Sequence, residues 1–115
     1  MIANSANEIN IYKKIQSIIA YPATIVPALS EETIRVTLIE AINAYIEGDL
    51  HLGTLIMLAT KIERYMGIRK ELDVKLNDAL TKIIGLSIYL KNQDSMADTI
   101  NDVLVNILNY FMDKE

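Results

Sequence analysis

The sequence predicts an all-α fold, a compact bundle of about five helices with one extended, proline-containing linker. Three observations predict it. Apolar residues recur at i, i+3 and i+4 along most of the chain. Serines stand where three of the helices should begin, and glycines stand where two should end. Both prolines, Pro22 and Pro27, fall in one short segment, outside every predicted helix.

The first helix is expected over about 5–21. Ser5-Ala6-Asn7-Glu8 has the form of a capping box, in which the serine oxygen accepts an early amide proton and the glutamate reaches back. Tyr12, Ile15, Ile18 and Ile19 follow at helical spacing, with Lys13, Lys14 and Gln16 between them. Residues 1–4 precede the cap and are expected to be loose. Residues 21–30 (YPATIVPALS) are expected to be extended, because each proline lacks a backbone donor and biases the residue before it away from the helix. Ile25, Val26 and Leu29 make this linker unusually apolar, so it should lie across the core or meet a partner.

Ser30, Glu31 and Glu32 mark the start of a helix over about 31–47, with a capping hydroxyl and two acids at the positive end of the dipole. Ile34, Leu38, Ala41, Ile42 and Tyr45 form its stripe, and Gly48 offers a left-handed stop. After the turn Asp49-Leu50-His51, the next helix is expected over 52–66. Its run Leu55-Ile56-Met57-Leu58-Ala59 is apolar on every side, which predicts a central, buried element, and Gly67 should end it. A helix over 68–91 follows, with a stripe of Leu72, Leu76, Ala79, Leu80, Ile83 and Ile84 and an apolar second half in which Gly85 permits a bend. Ser95, with Asp98 as a shortened capping box, should start the last helix, 96–113. Met96, Ile100, Val103, Leu104, Ile107, Leu108 and Phe111 give it the cleanest period in the chain. Isoleucine is frequent throughout and a modest helix former, so these helices should depend on mutual packing. Tyr45-Ile46 and Tyr89-Leu90 each precede a turn and a new helix, an echo that two stacked helical hairpins would produce.

At 115 residues the chain should form one helical domain spanning 1–115, large enough to bury a core. It has no cysteine, which excludes disulfides, thiolate chemistry and the usual cysteine-containing zinc sites. No charged stretch precedes an apolar one at the N-terminus, and apolar runs fall far short of the ~20 residues of a membrane span. A cytoplasmic location and no membrane association are therefore expected. Hydrophobic residues make up 51% of the chain against 23% charged, a high apolar share for a domain with so much surface. Some apolar groups should therefore be left outside, which points to a partner, most simply a second copy. The net charge of −4 opposes nonspecific binding to DNA.

No motif specifies a reaction. His51 is the only histidine; Glu47 and Asp49 lie near it in sequence, but no HxxxH or HxxE spacing supports a metal site. The four glycines form no phosphate-gripping loop. Asp94, Asp98 and Asp102 share one helical face, and Glu71, Asp73 and Asp78 on the preceding helix could oppose them in a carboxylate metal site. Their plainer role is a solvated face favouring a helix N-terminus. Lys61, Arg64, Arg69, Lys70 and Lys75 cluster around a helix junction, a pattern suited to phosphate or an acidic partner. Its plainer role is a basic helix C-terminus with ion pairs along the helix. The tyrosines, Tyr65 among them, suit core margins and interfaces.

The expected function is thus a noncatalytic helical module for protein–protein interaction, or an accessory or regulatory subunit, self-associating through apolar helix faces. No cofactor or metal is expected. The candidate interface residues are Ile25, Val26, Leu29, Ile88, Tyr89, Ile107 and Phe111. The alternative is a small subunit that contacts nucleic acid through the basic cluster. A carboxylate metal enzyme on Asp94, Asp98 and Asp102 ranks third.

Overall fold

The apolar stripes of the sequence are the surfaces the chain buries. The computed structural model describes residues 13, 15, 31–69 and 74–112, giving the backbone alone for 67–69. Its elements are helix α1 (Glu31–Ile46), α2 (Leu52–Arg69), α3 (Val74–Gly85), a 3-10 segment (Leu86–Asn92) and α4 (Ala97–Met112). The described residues contain no strand. The radius of gyration, 13.8 Å, is close to the ~13 Å of a compact domain of this size.

The expected count of about five helices is corrected to four α-helices among the described residues. The expected helix over 5–21 lies outside them except for Lys13 and Ile15. Both are helical; Lys13 is exposed, and Ile15 is fully buried in the common core. Residues 1–4, Ser5, Ser30 and the linker with Ile25, Val26 and Leu29 also lie outside the described residues.

Helix α1 buries Ile34, Leu38, Ala41 and Ile42 as its period requires, with Tyr45 half-buried beside them. Thr37 is buried too, and its hydroxyl donates to the Thr33 carbonyl at 2.7 Å, so no polar atom is left unpaired there. The helix ends at Gly48 in a Schellman motif. The Asp49 amide donates to the Ala44 carbonyl (2.8 Å) and the Gly48 amide to Tyr45 (3.0 Å). Gly48 has φ 88°, a conformation that costs other residues free energy.

Helix α2 runs through the middle of the described structure, packed on α1, α3 and the 3-10 segment. It buries Leu52, Leu55, Leu58, Ala59, Ile62, Tyr65 and Met66. It departs from expectation in two ways. Met57 is 55% exposed, so one side of this apolar helix faces solvent. The helix also passes through Gly67 to Arg69, since a glycine stops a helix only where the chain turns left-handed, as at Gly48.

The helix expected over 68–91 is replaced by α3 and the 3-10 segment, which meet at Gly85 (φ −60°, ψ −21°). The smaller ψ tightens the coil. The cause is legible in the spacing of Ile83, Leu86 and Tyr89, which recur every three residues. An α-helix would carry Ser87 toward the core, whereas three residues per turn keep Leu86 there. Leu86 is 2% exposed and Ser87 is exposed. Ser95 is no cap for α4: its hydroxyl donates back to the Asn92 carbonyl at 3.2 Å, which also accepts the Met96 amide. The two echoing turns therefore close differently, one through a left-handed glycine and one through right-handed backbone at Gln93.

Helix α4 buries Ile100, Leu104 and Ile107 and completes the core. Placing a carboxylate at Ile107, which is 2% exposed, strands a charge among apolar groups. Ile107→Asp should lose about 4 kcal/mol or more and leave the chain largely unfolded in urea titrations that the native chain withstands. The glycines give a finer test. Apart from adjoining residues and the helix's own backbone, nothing lies within 4 Å of a Cβ built at Gly48 or Gly53, so backbone conformation separates them. Gly48→Ala should cost about 1 kcal/mol, and Gly53→Ala in α2 should gain about 0.5 kcal/mol, both measured by thermal unfolding.

Candidate functional site

In the 3-10 segment Leu86 faces inward and Ile88 faces outward. Ile88 is 73% exposed. It stands beside a groove of about 300 Å³ lined by Gly85, Leu86, Tyr89 and Val103, with Lys82 and Asn106 also on its walls. Tyr89 and Val103 pack on the core from the groove side, so its floor is fixed by the same residues that hold α4 in place. Leu90, 39% exposed, is a further large apolar group on this segment. The arrangement has an apolar centre with polar groups beside it, as protein interfaces do.

A second groove, of about 260 Å³, lies along α2 and is lined by Ile56, Met57, Thr60, Lys61 and Arg64. Its polar walls are Thr60 and two members of the basic cluster, which the fold divides. Lys61 and Arg64 remain on this face. Lys75 is taken up elsewhere: its ammonium donates to the Tyr110 carbonyl at 3.4 Å and lies 5.2 Å from the centre of the Tyr110 ring. Tyr110 belongs to the last turn of α4, so the cation also meets the negative end of that helix. Lys82 approaches the same ring to 6.0 Å while pairing with Asp78 at 3.3 Å. Lys75 thus joins the first turn of α3 to the last turn of α4, and Lys82 reaches the same ring from the last turn of α3. The side chain of Arg69 and the whole of Lys70 lie outside the description.

Asp94, Asp98 and Asp102 are all exposed on α4 and the turn before it. Glu71 and Asp73 lie outside the described residues, and Asp78 is engaged by Lys82. Among the described residues no three histidine, cysteine, aspartate or glutamate side chains come together as a metal site. His51 is exposed at the start of α2, where its carbonyl accepts the Leu55 amide at 3.2 Å.

Of the candidate interface residues, Ile88 is on the surface, Tyr89 and Phe111 are partly buried against the core, and Ile107 is inside it. Ile107 is therefore part of the core and offers no surface to a partner. Residues that sequence reasoning missed are Leu86 and Val103 in the first groove and Ile56 and Met57 in the second. The three-residue spacing of Ile83, Leu86 and Tyr89 was the signal for the first pair. Nothing in the sequence marked Met57, which sits in an apolar run. No helix among the described residues is long and apolar enough to cross a membrane.

Compared with protein-family models, with curated proteins and with solved structures, the chain matches none. The functional reading therefore rests on its own surfaces.

The Lys75–Tyr110 contact makes its own test. Lys75→Ala removes a cation from the end of α4 and from the Tyr110 ring, and it should cost about 1 kcal/mol in chemical denaturation. Lys61→Ala, on the open face of α2, should cost less than about 0.5 kcal/mol.

Proposed function

We propose that the chain is a noncatalytic helical protein–protein interaction module, an accessory or regulatory subunit that also self-associates through apolar helix faces. One observation carries the reading. Ile88 stands 73% exposed beside an apolar groove whose floor residues pack on the core. Leu76, Ala79, Leu80 and Ile83 of α3 and Leu86 of the 3-10 segment are buried, whereas most of the Ile88 side chain stays outside the core. Burying an isoleucine on a partner contributes roughly 1.5–3 kcal/mol before the costs of association are counted. A groove built on packed elements loses little entropy when it is filled, which favours binding over induced ordering.

The same exposure makes the reading testable, because the side chain can be changed without touching the core. Ile88→Asp should retain the circular dichroism and unfolding midpoint of the native chain. In sedimentation equilibrium the native chain should exceed its monomer mass of 12.9 kDa, and the variant should fall toward it. A variant with undiminished mass would remove this groove from the self-contact.

A further inference from the structure

We propose that a second copy of this chain docks the outer face of its α4 along the groove of α2, antiparallel, with Lys61 opposite Asp102 and Arg64 opposite Asp98. The inference shares with the reading above only the premise that copies associate; it rests on a different surface and on charge instead of an apolar anchor.

The two faces are complementary in kind. The α2 groove presents exposed Met57 at one end and the cations Lys61 and Arg64 at the other. The outer face of α4 presents the exposed anions Asp98 and Asp102 at its start and Val105, 43% exposed, one turn further on. None of these four charged side chains forms an ion pair among the described residues. Met57, Arg64, Asp98, Asp102 and Val105 are exposed and Lys61 is half-buried, so neither face covers the other within one chain.

They are also complementary in register. Along α2, read from its C-terminal end, Arg64, Lys61 and Met57 follow at steps of three and four. Along α4, Asp98, Asp102 and Val105 follow at steps of four and three. Each triplet spans two turns, about 10.5 Å at the rise of an α-helix. Antiparallel docking therefore sets cation against anion twice and Met57 against Val105. Parallel docking sets Met57 against Asp98 and Arg64 against Val105, which leaves both charges unmatched and strips water from them. The charge pattern thus fixes the direction of the contact. Each copy carries one face of each kind, so the contacts close a twofold dimer or propagate head to tail, and in both cases the mass exceeds that of a monomer.

The test is sedimentation equilibrium on the full chain with the charges reversed and then exchanged. Lys61→Glu and Asp102→Lys should each weaken self-association roughly fivefold, and the two together should return it to within about twofold of the native chain. Asp102 is in the second turn of α4, so its reversal leaves Asp98 to favour the helix start. As a variant without reversal, Arg64→Gln should weaken association about threefold, and raised salt should act in the same direction. A native chain that associates but ignores every one of these changes would overturn this contact while leaving the Ile88 groove as the self-contact. Association that is lost in Ile88→Asp but unchanged in Lys61→Glu would do the same. A native chain that stays monomeric would overturn both. Binding of a monomeric chain to RNA or DNA at low salt, abolished by Lys61→Glu, would assign the α2 face to nucleic acid and overturn the proposal.

Discussion

The burial of α2 is the constraint on which the other elements depend. Its apolar run leaves too little polar surface for a helix in water, so α1, α3 and the 3-10 segment gather on it. Leu55, Leu58 and Ile62 are fully buried by those neighbours, and α4 closes the core through Ile100, Leu104 and Ile107. Ile15 enters the same cluster, so the N-terminal part of the chain is represented in the core as well. With isoleucine so frequent, no single helix here has strong intrinsic propensity, and shared burial supplies the stabilisation that local structure lacks.

Close packing on α2 has a consequence for the surface. The chain tightens after Gly85 into 3-10 geometry, which keeps Leu86 in the core while Ile88 stays exposed. The junction of α3 with α4 is secured separately, by Lys75 and Lys82 around the Tyr110 ring. That bracing takes Lys75 out of the basic cluster and leaves Lys61 and Arg64 as the cations of the α2 groove. One electrostatic contact therefore both fixes a helix pair and narrows the charge available to a partner.

Much of the fold was legible in the sequence because burial follows periodicity. The stripe of α1, the Gly48 stop and the inward face of α4 stand where spacing and turn chemistry put them. The errors have a common origin. Gly67 looks like Gly48 in sequence, yet only Gly48 has the left-handed backbone that ends a helix. Ser95 looks like a cap, yet its hydroxyl finds the Asn92 carbonyl first. Ile107 and Ile88 are both isoleucines in apolar stretches, and nothing local separates a core residue from a surface one. In each case the deciding partner lies outside the pattern that was read.

The sequence by itself determined the α-helical class, the buried stripes of α1 and α4 and the exclusion of cysteine-based chemistry, because these follow from spacing and residue type alone. Tertiary structure decided which side of the all-apolar α2 stays open, where α3 gives way to a tighter coil, and which lysines remain free to meet a partner. Those outcomes depend on what each residue packs against. A helix apolar on every side gives no internal sign of the face its neighbours will leave uncovered.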